Sequence, residues 1–414
     1  MKSRLPFNIL KTTLRYLAIL TLRKYKPFVI GITGSVGKTS TKEAIFTVLS
    51  QEKKVRRSKG NFNNELGMPL TIINDYEKIS GIFFWFKVFI FSLKQLIFTN
   101  KNYPEILVLE LAADKPGDIE YLINIARPKI GVITAIGETP VHVEHYPNSQ
   151  AVAKEKSKLI ESLSANGFAI LNRDDLIVWG LRNRTRAQVI SFGFHEESDV
   201  QILGLEYKFD KKGLPEGMTF KIQYGNILVP FRLYNTIGKP QVYAAAAAAA
   251  VGITMGINLV KIGEALEKYQ PLAHRTNLIN GVKNTIIFDD CYNASPLSMK
   301  SAIETIKEIP AKRKVAVLGD MLELGDYTIE AHEKIGKEIV GVVDVLICVG
   351  TAAKLIAESA IKYGFDKNKV IIFNTSESAR KMIKKEIREG DLILVKASRA
   401  IGLDKIVDEL KLEE

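Results

Sequence analysis

Lys38 and Thr39 close a glycine-rich stretch, residues 28–40, that reads FVIGITGSVGKTS. Glycines followed by a lysine and a hydroxyl residue are suited to holding a polyphosphate. The backbone N–H groups of Gly34, Ser35, Val36 and Gly37 can face the anion, and the positive end of a following helix adds to them. Lys38 can reach the β- and γ-phosphates, the Thr39 hydroxyl can sit on Mg²⁺, and Ser40 extends the cradle. The general spacing, GxxxxGK[ST], would place its first glycine at position 32. That residue is Ile32, and Gly31 stands one place early. A glycine turn that binds nothing is the bland alternative.

Other residues offer partners for this chemistry. Glu110 follows an unbroken apolar run at 106–109, so it falls near the carboxyl end of a buried strand, the edge where parallel sheets hold ligands. A carboxylate there can hold Mg²⁺, and a structural salt bridge is the competing use. His142 lies shortly after another strand, where a metal or phosphate ligand and a hydrogen-bonded loop histidine are both open readings. Asn61, Asn63 and Asn64 crowd an irregular loop. They either satisfy turn backbone or bind a polar substrate. Lys154, Lys156 and Lys158 read, by spacing alone, as the solvated face of a helix.

These residues need elements to place them. The apolar run at 28–32 reads as a buried parallel strand, and a helix follows from residue 38, with apolar positions at Ala44, Ile45, Val48 and Leu49. Further strands are expected at 106–111, 130–135 and 169–171. β-Hairpins on the sheet's flank are expected over 189–233, and a closely packed helix over the alanine run 244–250. Near Pro271 the pattern restarts. Strands at 285–288, 314–318, 345–349, 370–373 and 392–395 alternate with helices, as in a doubly wound α/β domain. The fold class is therefore α/β: a P-loop central domain with a mostly parallel sheet, then a Rossmann-like C-terminal domain. The expected divisions are a basic N-terminal helical extension (1–26), the central domain (27–271) and the C-terminal domain (272–414).

With 414 residues there is length for two or three cores. Two cysteines, Cys291 and Cys348, imply no disulfide framework and fit a reducing compartment. The net charge of +12 is uneven, with no acidic residue before Glu43. The basic end favours acidic partners, but no aromatic-plus-basic RNA-binding motif accompanies it, so nucleic acid is not expected. Residues 1–26 look like a docking helix rather than a signal peptide, because Arg15 interrupts the apolar part and no small-residue cleavage site follows. Residues 81–98 are very apolar with a narrow stripe at Lys87, Lys94 and Gln95. Burial against the domain is the expectation, and a membrane-surface helix the alternative.

Taken together, the motifs resemble the Mur ligases, ATP-dependent amide-forming enzymes of peptidoglycan synthesis. The matching pieces are TGSVGKTSTKE (33–43), GNFNNELGMPLT (60–71), LEL (109–111), HVE with AVAKEKSKL downstream, DDCYNASP, GDMLELG (319–325) and KASR (396–399). They lie in order over nearly all of residues 28–400. The branch resembled most is the one that adds D-alanyl-D-alanine to a UDP-MurNAc-tripeptide. The resemblance implies a cytoplasmic, monomeric ligase working through an acyl phosphate on small-molecule substrates. It implies ATP and Mg²⁺, with two ions expected, and Thr39, Glu110 and His142 as metal ligands. It places a carbamylated lysine at Lys156, with Lys154 as the rival, so that Lys38, Lys156 and His142 form the implied catalytic set. Arg275 and the segment with Asp289, Asp290, Tyr292 and Asn293 fall to the nucleotide, with Tyr292 able to stack and Asn293 to hydrogen-bond. Asn61, Asn64, Lys396, Ser398 and Arg399 fall to the substrates.

Departures are equally plain. Only 27 residues precede the first strand, too few for a domain, so a UDP moiety is expected to bind differently or to be absent from the substrate. The family's Gly-x-His-Asn loop is Gly238–Lys239–Pro240–Gln241 here, and alanines stand at Ala112 and Ala397. Two further readings stay open: a related ligase on another carboxylate, such as a folate or polyamino acid, and an NTP-binding module at the membrane surface that ligates nothing.

Overall fold

The computed structural model describes residues 4–60, 62–139, 145–211 and 213–412. Nine strands form the first sheet: β1 (Phe28–Thr33), β2 (Val55–Arg57), β3 (Ile106–Glu110), β4 (Ile130–Ile133), β5 (Phe168–Asn172), β6 (Gln188–Gly193), β7 (Val200–Phe209), β8 (Pro215–Tyr224) and β9 (Ile227–Tyr234). Their order is β2-β3-β1-β4-β5-β6-β7-β8-β9. Pairing is parallel from β2 to β7 and antiparallel from β7 to β9. The expected hairpins are therefore β7–β8–β9. β6, expected among them, pairs in parallel with β5, because the chain crosses over between the two through a helical turn.

The helices of this half are α1 (Arg4–Tyr25), α2 (Lys38–Leu49), α3 (Gly67–Ile73), α4 (Gly81–Ile97), α5 (Asp118–Ile123), α6 (Ser149–Glu161), α7 (Leu176–Gly180), α8 (Lys239–Thr254) and α9 (Leu259–Leu266). The alanines 244–250 of α8 are all buried, and α8 packs on α2. Short side chains let the two helices approach closely, as the alanine run demands. β1 is buried at every position after Phe28 and lies between β3 and β4. The sheet thus changes winding direction at β1, which opens a crevice beyond its carboxyl end.

The second sheet holds β10 (Asn277–Gly281), β11 (Thr285–Asp289), β12 (Lys314–Gly319), β13 (Val345–Val349), β14 (Val370–Phe373) and β15 (Leu392–Lys396) in the order β10-β11-β15-β12-β13-β14. All neighbours are parallel except the β10–β11 pair. Helices α10 (Pro296–Glu308), α11 (Thr328–Glu338), α12 (Ala353–Lys362), α13 (Ser376–Glu386) and α14 (Asp404–Leu410) alternate with these strands. This is the doubly wound arrangement the sequence predicts.

At the amino end, α1 docks on α3 and α4 through a cluster that includes Leu14, Leu70, Ile73 and Val88. Lys24 Nζ donates to the carbonyls of Gln95 (2.9 Å), Leu96 (3.0 Å) and Phe98 (3.1 Å), satisfying the open end of α4 with a cation. The expectation that residues 81–98 would be buried holds for one side only. Val88, Ser92 and Gln95 are buried, whereas Ile82, Phe83 and Phe86 are among the most exposed apolar side chains of the described residues. Among those residues no helix is long and apolar enough to cross a membrane.

Candidate functional site

The loop between β1 and α2 crosses the crevice at the winding change. Gly37 precedes α2 with φ 87°, and Gly34 has φ +147°. A Cβ at Gly34 would lie 2.1 Å from Thr134 Oγ1, so the loop can lie flat against β4 only with glycine there. Thr134 Oγ1 donates to Val36 O at 2.6 Å, and Ser35 N donates to Ala135 O at 2.6 Å. Ser35 Oγ is buried without a hydrogen-bond partner, an orphan that an oxyanion in the loop would satisfy. Lys38 Nζ donates to Gly34 O (2.8 Å) and Ser35 O (3.3 Å), folded over the loop. Burial lowers the Lys38 ammonium, with Glu110 working against that fall.

Under the loop, Thr39 Oγ1 donates to Glu110 Oε2 at 3.1 Å. Glu110 Oε1 accepts from Asn63 Nδ2 at 3.1 Å, and Lys42 Nζ lies 3.6 Å from Oε2. Burial alone would raise the Glu110 carboxyl. Lys42, then Lys38 and Arg275, outweigh it and hold the group below the usual carboxylate range. Lys156, on α6, is buried, whereas Lys154 is exposed. Burial, and then the nearby Lys38, push the Lys156 amine down to about 7. Placement on the buried side of α6 thus separates it from Lys154, which spacing alone could not do.

A cavity of about 750 Å³ spans both sheets. From the first sheet it takes the loop 35–40, Asn63, Asn64, Glu110 and Asp114. From the second it takes Asp290, Tyr292, Asn293, Lys396, Ser398 and Arg399, and Arg275 lies on the connecting segment. The guanidinium groups of Arg275 (3.9 Å) and Arg399 (4.8 Å) both lie over the Tyr292 ring. A second, more apolar cavity of about 440 Å³ begins at Val36 and Gly37 and runs between Phe192, Tyr243 and Leu297. Asp174 and Asp175 shape its wall. Asp174 accepts from Tyr243 Oη at 2.8 Å and from the backbone of Phe194 and His195. Asp175 accepts from Ile136 N and Gly137 N and caps α7.

Several expected residues stand elsewhere or are already engaged. Asp289 does not line the cavity. It is fully buried and pairs with His274 Nδ1 at 2.8 Å, while its neighbour Asp290 faces inward. Strand alternation explains the exchange: β11 ends at Asp289, whose side chain points into the sheet's other layer. Lys396 lines the cavity, but its Nζ is bound to Asp290 and to Asn293 O (3.0 Å), which makes it a brace rather than a free cation. Ser398 Oγ accepts from Leu322 N at 2.9 Å and is a brace as well. Asn293 accepts from Ala294 N at 2.9 Å. Asn64 caps the turn into α3 through Leu66 N and Gly67 N. Tyr292 carries the Arg275 and Arg399 guanidinium groups over its ring. Arg399 is exposed and available to an anion. Asn61 and His142 lie outside the described residues.

Three residues were missed. Asn63, read as a turn former or a substrate ligand, instead holds Glu110. Asp114 enters the cavity from a loop with no motif of its own. Gln241, set aside because the His-Asn pair is absent, is buried and ties three segments together. Its Nε2 donates to Thr276 Oγ1 (2.5 Å) and Arg275 O (3.3 Å), and its Oε1 accepts from Tyr269 Oη (2.7 Å).

The model of the Mur ligase middle domain matches residues 32–83 and 90–252, and that of the Mur ligase glutamate ligase domain matches residues 274–399. A Bacillus subtilis (strain 168) protein named UDP-N-acetylmuramoyl-tripeptide--D-alanyl-D-alanine ligase is 32% identical over 403 residues, covering 96% of this chain and 79% of that protein. The chain belongs to the Mur ligase family. Among solved structures, MurF from Acinetobacter baumannii superposes with a TM-score of 0.79 at 26% identity, covering 96% of this Mur ligase and 80% of that chain. MurF from Thermotoga maritima in complex with ADP gives 0.78 at 26% identity, covering 99% and 84%. The middle-domain match is interrupted at residues 84–89, inside α4 of this Mur ligase.

Proposed function

We propose that this Mur ligase uses ATP to join a carboxylate of a peptidoglycan precursor to the amine of D-alanyl-D-alanine. The observation that carries the reading is the cavity in which the loop 35–40 and Glu110 face Arg275, Asp290 and Arg399. The naming of the relatives and the ADP complex of a similar MurF support the choice of substrates and nucleotide. A cytoplasmic, monomeric enzyme fits the same reading.

The chemistry follows from the charges. A substrate carboxylate oxygen attacks the γ-phosphorus, and ADP leaves. The resulting acyl phosphate is then attacked by the amine, which releases phosphate and forms the amide. Such transfers need positioning and charge neutralisation more than covalent help from the protein. The loop N–H groups and Lys38 supply fixed positive charge. Arg275 brings a guanidinium from the connecting segment, and the exposed Arg399 is placed to meet a peptide carboxylate. The apolar cavity beside Gly37 fits the nucleotide base. Enclosure between the two sheets shields the acyl phosphate from water.

Thr39 and Glu110 are hard oxygen donors held against each other, a set that fits Mg²⁺. The ion would neutralise charge developing on the phosphoryl oxygens. Lys156 fits a second role. An amine near 7 is partly neutral at physiological pH, and only a neutral amine adds to CO₂, giving a carbamate and releasing one proton. The carbamate is an anion with two oxygens, suited to a second Mg²⁺.

The test is to mix the protein with ATP, Mg²⁺, a UDP-MurNAc-tripeptide and D-Ala-D-Ala, and to follow phosphate release and product mass. Release that requires both substrates, with a product of the condensed mass, supports the reading. Release indifferent to them supports a non-ligating NTP-binding module.

A further inference from the structure

The exposed side of α4 has no use in the reaction. Ile82, Phe83, Phe86, Ile90, Leu93 and Ile97 all stand at least 40% exposed, and Phe83 reaches 80%. At 100° per residue they fall within about a 100° arc of the helix. Lys87 and Lys94, both exposed, follow at one edge of that arc. The opposite side, Val88, Ser92 and Gln95, is buried against the domain. Charge is one-sided as well. From Lys78 to Pro104 there is no aspartate or glutamate but four lysines, and the adjacent α1 carries five basic residues and no acidic one.

We propose that α4, with α1 beside it, seats this protein on a membrane surface bearing anionic headgroups. An apolar stripe edged by lysines lies flat at such an interface, with its rings among the acyl chains and its ammonium groups at the phosphates. The helix is too short to span, consistent with in-plane seating. A second copy of the chain is the weaker occupant. A symmetric pairing of this face would bring the basic edges of two copies together, whereas anionic lipid complements them.

Flotation of the full-length protein with phosphatidylcholine vesicles, with and without phosphatidylglycerol, tests this. Binding is expected to rise at least ~10-fold with phosphatidylglycerol and to fall with salt. The Phe83→Asp/Phe86→Asp double variant is expected to lose binding with an unchanged melting temperature. Lys87→Glu/Lys94→Glu is expected to lose the phosphatidylglycerol-dependent part, about fivefold or more per lysine. Wild-type protein that stays unbound, or a double aspartate variant that floats like wild type, overturns the proposal. So does a wild-type dimer in solution that the aspartate variant turns into monomer, because a second copy then covers the face.

Discussion

Thr39 Oγ1 and Glu110 Oε2 lie 3.1 Å apart, although 71 positions separate them in the chain. The contact exists because β1 and β3 are parallel neighbours in register, Ile32 opposite Glu110. The first residues beyond β1 therefore reach over the end of β3. A hydroxyl and a carboxylate are thus held against each other beneath the loop proposed to hold the phosphates, the preorganisation such chemistry needs.

Glu110→Gln keeps the shape and the bond to Asn63 but removes the charge. The Mg²⁺ concentration giving half-maximal phosphate release is expected to rise by at least ~10-fold, since even indirect disruption of a metal site costs that much. Thr39→Ser, which keeps the hydroxyl, is expected to stay within a few-fold of wild type. A Mg²⁺ titration for each variant checks both.

Lys38→Ala removes the cation nearest the loop. Turnover is expected to fall by ~10²–10³-fold or more, the usual cost of losing one preorganised charge-stabilising group. Steady-state phosphate release measures it, and a variant within tenfold of wild type contradicts the role.

Lys156 yields a pH-dependent prediction. Its folded-state value of about 7 lies below the ordinary 10.5. Between these values the unfolded chain binds a proton that the folded chain does not, so stability rises with pH across that window. The cost of burying the amine is greatest below about pH 7. In bicarbonate-free buffer Lys156→Met is therefore expected to be more stable than wild type near pH 7, by on the order of a few kcal/mol, with the gap closing toward pH 10. Urea unfolding at several pH values reads it. The same position tests the carbamate. Lys156→Ala should lose activity that a short added carboxylate partly restores, and labelled bicarbonate should give a carbamate signal in wild type only.

The parts that were legible in the sequence share a cause. The loop 34–39 and Glu110 follow from local patterns, glycines before a helix and a carboxylate closing an apolar strand, and each pattern lies within a few residues. The alternation after Pro271 showed the second sheet for the same reason. Asp290 over Asp289, Asn63 at Glu110 and the bracing role of Lys396 were not legible, because each depends on strand pleat or on partners more than 40 positions away. Residues 81–98 were half legible. Their apolarity is plain, but which side is buried is decided by α1 and α3.

Gln241 ties α8 to the connecting segment at Arg275 and Thr276 and to Tyr269. Gln241→Ala leaves the Tyr269 hydroxyl, which is fully buried, without its acceptor. A loss of about 1–3 kcal/mol in unfolding free energy is expected, together with a raised KM for ATP as Arg275 loses its anchor. Urea unfolding and initial rates check the two halves separately.

The central claim is that γ-phosphate is transferred to a substrate carboxylate before the amide forms. It is tested most directly by labelling that carboxylate with heavy oxygen and weighing the phosphate released during a single turnover. One labelled oxygen carried into inorganic phosphate is the predicted result. Unlabelled phosphate accompanying amide formation would contradict it.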